Sequence, residues 1–116
     1  MKITEYGTVK HVILNVAGIN GVAGRVVIGK SDGAKNFCMR LFEISPGGYT
    51  PKHSHDWEHE IFVHSGEGEV YGNGRRYPVK SGHVVFIPAN EEHQILNKGA
   101  NVLIFICLVP SYAPEM

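Results

Sequence analysis

The chain has 116 residues, in which eleven lysines and arginines balance eleven aspartates and glutamates, with seven histidines besides. A chain of this length suits one domain, expected to span 1–116, with a core large enough to need no disulfide or metal staple. A formal net charge of zero argues against nucleic acid or an acidic membrane surface as partner, because both recruit clustered positive charge.

Met1 to Gly7 contains no apolar stretch and no small-residue cleavage site, so no secretory signal is read and a cytoplasmic location is expected. Fourteen glycines and six prolines punctuate short β-branched and aromatic runs, and no segment carries a helical period. That pattern predicts an all-β sandwich or barrel. Strands are predicted near Lys10–Asn15, Val22–Gly29, Phe37–Ile44, His59–Ser65, Glu67–Tyr71, Arg75–Val79, Val84–Ile87, His93–Asn97 and Val102–Pro110. Lys30 to Ala34 and Gly72-Asn73-Gly74 are rich in residues that tolerate positive φ, which favours hairpins and antiparallel pairing. The longest apolar run, Val102 to Val109, is far shorter than the roughly 20 residues of a membrane helix and reads as a core strand. Cys38 and Cys107 lie in apolar strand segments, where a buried free thiol is the usual form. The tail from Pro110 to Met116 is expected to be an irregular end, packed loosely or along a partner.

Histidines carry the chemistry. His53 and His55 lie two residues apart, His59 follows, and His93 comes after a second glycine- and proline-marked segment. On an extended chain residues i and i+2 point to one face, whereas a helix would spread them by about 200°. Imidazoles gathered on one face of a β protein point to a bound metal ion.

Gly47, His53, His55, His59 and Gly66, followed by Gly82, Pro88, Asn90, His93 and Asn97, resemble the two sequence motifs of the cupin superfamily. The first motif falls at about 47–66 and the second at about 82–97. The resemblance implies a double-stranded β-helix, or jelly-roll barrel, mostly antiparallel. Where the second motif has glycine after Pro-x stands Asn90, the non-glycine residue that best tolerates a left-handed backbone. Where the first motif has glutamate stands His59, with Glu60 as the alternative ligand. Alternation favours His59: facing inward it brings Ile61 and Val63 with it, whereas an inward Glu60 would bring His64. The segment looks like the small cupins that hold a divalent metal through four histidines, here His53, His55, His59 and His93.

That likeness implies one divalent transition metal per chain, manganese or iron first, with copper, nickel or zinc as alternatives. It further implies a metal-dependent, oxygenase-like oxidoreductase acting on a small organic substrate, anions included. A redox-neutral isomerase or cyclase is the rival, and a non-catalytic small-ligand-binding cupin the reading from another class. Parity from His93 adds Ile95 to the substrate pocket, and the family likeness adds Phe105 and Cys107. Arg40, in an apolar strand, binds an anionic substrate or reaches a carboxylate such as Glu60, since arginine is seldom buried unpaired. Trp57 is a candidate for the pocket rim, His11, His64 and His83 read as surface residues, and no catalytic residue is assigned to Glu58 or Glu60. A homodimer is implied too, with Val12–Leu14 and Val26–Ile28 supplying its interface.

Overall fold

A computed structural model describes residues 1–14 and 16–116. Nine strands follow in order: β1 Val12–Leu14, β2 Asn20–Ile28, β3 Phe37–Tyr49, β4 His59–Ser65, β5 Glu67–Gly72, β6 Arg75–Lys80, β7 Val84–Ile87, β8 His93–Leu96 and β9 Leu103–Pro110. Each expected strand is present; the predicted end of the first, at Asn15, lies outside the described residues. Two three-residue 3-10 turns, Tyr6–Thr8 and Lys30–Asp32, are the helical elements among the described residues. None of these is long and apolar enough to cross a membrane.

All nine strands join one curled sheet in the order β6-β5-β8-β3-β9-β4-β7, with β2 also on β3 and β1 on β2. Every pairing is antiparallel; β1–β2, β2–β3 and β5–β6 are sequential neighbours, and the other pairs join strands distant in the chain, as in a jelly roll. Asn73 (φ 52°) and Gly74 (φ 84°) make the β5–β6 turn, the positive-φ pair that a two-residue hairpin loop requires.

Period-two alternation builds the interior. Along β9, Leu103, Phe105, Cys107 and Val109 are buried while the residues between them are half-buried. Along β4, His59, Ile61 and Val63 are buried while Glu60, Phe62 and His64 are exposed. The deepest apolar residues are Ile44 and Leu103, both fully buried. Each such side chain contributes roughly 1.5–3 kcal/mol by leaving water. At Gly66 the backbone has φ +87° and a Cβ would lie 2.5 Å from the Val102 carbonyl oxygen, so glycine alone fits where β4 gives way to β5.

Two expectations need correction. β3 continues past Ile44 to Tyr49, although Ser45-Pro46-Gly47-Gly48 reads locally as a turn. Long-range partners hold it extended: Asn20 pairs with Tyr49, Gly47 N–H donates to the Asn97 carbonyl and Asn97 N–H to the Gly48 carbonyl. The tail is not loose. Ala113 is 1% exposed, the Glu115 carboxylate accepts from Lys30 N–H at 2.7 Å, and Met116 lines the interior cavity.

Candidate metal centre

His53 and His93 face one another across an antiparallel bridge, with His53 N–H donating to the His93 carbonyl at 3.1 Å and His93 N–H to that of His53 at 2.9 Å. The bridge brings together two residues forty positions apart in sequence. One nitrogen each from His53, His55 and His93 lies within 4.8 Å of the others, so these three could hold a metal ion. His59, on β4, closes the ring: its Nε2 is 2.8 Å from Nε2 of His55, and its ring centroid is 5.0 Å from that of His93.

The chemistry of the donors fits a divalent cation. Nδ1–H of His55 donates to the Trp57 carbonyl at 2.8 Å and Nδ1–H of His93 to the Glu91 carbonyl at 2.9 Å. A carbonyl can only accept, so each Nδ1 carries the proton and each Nε2 presents a lone pair. His53 is exposed on one side, and desolvation on the other, then the neighbouring His93, lowers its imidazole to about 4. Burial, then the Arg40 charge, holds His59 down to about 3, and His55 is lowered by burial and His93. All three are therefore neutral near pH 7, the form that ligates metal.

His59 is held by a side chain where His55 and His93 are held by backbone. Its Nδ1 is 3.1 Å from Cys107 Sγ and 3.4 Å from Arg40 Nη2, and Arg40 Nη2 also donates to Cys107 Sγ at 3.2 Å. Were its proton on Nδ1, His59 would donate to the sulfur and leave the Nε2 lone pair facing His55. Burial raises the Cys107 thiol despite the guanidinium beside it, so the sulfur stays protonated.

A cavity of about 350 Å³ opens beside these rings, lined by His53, His59 and His93 and by apolar side chains that include Phe42, Ile61, Ile87, Ile95 and Phe105. All four expected pocket residues, Arg40, Ile95, Phe105 and Cys107, line it. Glu60 does not reach the cluster: it is exposed on the other face of β4, beside Phe62 and Phe86. Nor does Arg40 meet Glu60. Arg40 stands opposite Cys107 in the sheet, whereas Glu60 stands opposite Leu108, and adjacent residues on a strand face opposite ways. Glu58 is exposed as well.

The sequence reading missed several contributors. Trp57 is not a bare rim: its ring stacks on His55 with centroids 4.0 Å apart and 6° between planes, while its carbonyl fixes the tautomer. Leu14, Val16, Ile19 and Met116 add apolar wall from the two ends of the chain, and no motif marks them. Cys38 and Cys107 are both free and buried. His11, His64 and His83 are exposed, as expected.

Comparison with known proteins agrees with this fold. The cupin domain family model matches residues 40–109, and the chain belongs to the cupin family. It is 36% identical over 74 residues to an oxalate-binding protein of Thermotoga maritima, covering 60% of this chain and 61% of that protein. It is 31% identical over 101 residues to auxin-binding protein 1 of Arabidopsis thaliana, covering 77% of this chain and 49% of that protein. The chain thus spans about half to three fifths of the curated relatives it matches. The structure of the polyketide cyclase RemF from Streptomyces resistomycificus superposes with a TM-score of 0.91 at 34% identity, covering 98% of this chain and 82% of that one.

Proposed function

We propose that this chain is a metal-dependent enzyme that binds a small organic substrate in the barrel cavity and carries out a redox-neutral rearrangement of the isomerase or cyclase kind. The observation that carries the reading is the cavity itself, an apolar space of about 350 Å³ with His53, His59 and His93 on its wall. His53, His55, His93 and, as fourth ligand, His59 would hold a divalent ion that acts as a Lewis acid on a carbonyl or enolate oxygen. The chain keeps the His53, His55 and His59 imidazoles neutral, orients His55 and His93 through the Trp57 and Glu91 carbonyls, and excludes water with Phe42, Ile61, Ile95 and Phe105.

Similarity to a polyketide cyclase over 98% of the chain supports this reading over the oxygen-activating one expected from sequence. So does Cys107, whose thiol lies 3.1 Å from His59, where activated oxygen would oxidise it. A Lewis acid needs no redox couple, so zinc and nickel serve as well as manganese, iron or copper. The test has two stages. Elemental mass spectrometry on protein purified without an affinity tag is expected to find about one divalent ion per chain, lost in His93→Ala. Enolisable aryl ketones are then offered to the loaded protein in D2O, with an oxygen electrode in the same vessel. Deuterium exchange or product without oxygen uptake is expected; oxygen consumed in step with substrate would restore the oxygenase reading. Metal-free protein that binds these ketones without turnover would leave a ligand-binding module.

A second copy of the chain is proposed to pack on the β1–β2 edge, where Val12, Ile13 and Ile28 are 47%, 63% and 38% exposed. Light scattering at twice the chain mass is expected, and a monomer would end that proposal.

A further inference from the structure

Arg40 is the one cationic side chain on the wall of the cavity, and no aspartate or glutamate lines that wall among the described residues. Only 8% of it is exposed. Its guanidinium cannot lose its proton, so the charge must be met by something. Nη2 donates to Cys107 Sγ at 3.2 Å, Nη2 lies 3.4 Å from His59 Nδ1, and the group sits 5.1 Å over the Phe42 ring. None of these neighbours is an anion. Among the described residues Nε is buried with no hydrogen-bond partner.

Arg25, half-buried, offers the contrast of an arginine beside a carboxylate. Arg25 on β2 forms an ion pair with Glu43 on the adjacent β3 and donates through Nε to the Val9 carbonyl at 2.9 Å. Arg40, on the same β3 strand and more deeply buried, has no such partner among the described residues. An unpaired buried charge destabilises a fold, and its usual justification is a ligand of opposite charge.

We infer that Arg40 is the anion-binding residue of this cavity, and that the natural ligand is an organic anion, a carboxylate, phenolate or enolate carried on an apolar body of one or two rings. The apolar walls take the body and the guanidinium fork takes the anionic oxygens, with Nε free to donate. A ligand of that size suits a cavity of about 350 Å³. The inference deepens the function proposed above by naming the substrate class, and it rests on the cavity being a ligand pocket rather than on the ion.

Isothermal titration with naphthalene-1-carboxylate and its neutral carboxamide tests it, on the full chain as purified and again after chelator treatment. The carboxylate is expected to bind the wild type about 30-fold or more tighter than the amide in both preparations, the scale at which a buried charge partner matters. In Arg40→Met that preference is expected to vanish while the amide binds as before, and the melting temperature is expected to hold or rise because an uncompensated charge is gone. Arg40→Lys, which keeps the charge but not the fork, is expected to fall between. Equal binding of acid and amide to the wild type, or binding of neither, overturns the inference. A carboxylate preference that survives in Arg40→Met but disappears with chelator assigns the anion to the ion and overturns it too. A fall in melting temperature in both Arg40 variants would make the arginine a structural residue and likewise overturn it. Loss of the metal reading alone leaves the chelated-protein result standing.

Discussion

Asn97, just past the end of β8, and Arg40, on β3, are both polar and both interior, but they are partnered in opposite ways. Asn97, 1% exposed, donates from Nδ2 to the carbonyls of Ile44 and Asn101 at 2.8 Å each and accepts at Oδ1 from Gly99 N–H at 2.9 Å. Its own backbone bonds to Gly47 and Gly48. Arg40 carries a full charge and, among the described residues, meets no anion and leaves Nε without a partner. A buried polar group whose hydrogen bonds are all made is part of the scaffold, and one left short marks where something else binds. The region of Asn97, Ile44 and Leu103 is therefore built for stability, and on the function proposed above the region of Arg40 and the histidines serves a ligand.

The largest effect should fall in the Asn97 region. Asn97→Ala leaves two carbonyls and one amide without their partners, and urea denaturation is expected to show a loss of about 2–4 kcal/mol. A loss below about 1 kcal/mol would mean that water or a shifted loop replaces the side chain, and the contrast with Arg40 would weaken. In the histidine region the cost should appear in metal affinity. His93→Ala removes a nitrogen from the cluster, and chelator competition is expected to show metal binding weakened about 100-fold or more, beyond what loss of a mere orienting partner causes. Unchanged affinity would exclude His93 as a ligand.

The histidine region should also be the acid-sensitive one. An unfolded imidazole takes up its proton near pH 6.5, whereas folded His59, held down by burial and by Arg40, does so only near 3, and His53 near 4. Between those limits the unfolded chain binds more protons, so stability rises with pH and is lost as pH falls from about 6.5. Chelator-treated protein is expected to melt progressively lower across that window, and His59→Gln should flatten the slope relative to wild type. Comparing the two removes the carboxylates, which titrate in both. Parallel curves would show that His59 is not held neutral by its surroundings.

What could be read from the sequence follows from which forces are local. The inward turn of His59 was legible because β4 alternates, and Ile61 and Val63 share its face; the same parity put Glu60 outside. His93 was legible from its place beside Pro88, Asn90 and Asn97. The extension of β3 through Pro46-Gly47-Gly48 was not, because residues that locally favour a turn are held straight by Asn20 and Asn97, far off in the chain. Arg40 was legible as an oddity but its partner was misjudged in one of two readings. A residue's neighbours across β9, here Cys107, depend on sheet register, which no local pattern of β3 fixes. The stacking of Trp57 on His55 and the seat of Met116 in the cavity are likewise products of loop and tail geometry.

The smallest effect concerns a third asparagine, and it separates side chain from backbone. Asn90 is exposed and has φ 69°, while its N–H donates to the His55 carbonyl at 2.6 Å. What the site requires there is a left-handed backbone that presents an N–H, which glycine supplies at least as well as asparagine. Asn90→Gly is therefore expected to change stability by less than about 0.5 kcal/mol, the range of surface substitutions, and to leave metal affinity alone. Asn90→Ala, which can donate the same N–H but resists the left-handed region, should lose about 1 kcal/mol. If glycine costs as much as alanine, the Asn90 side chain has a partner of its own, and it would belong with Asn97 among residues held by their side-chain bonds.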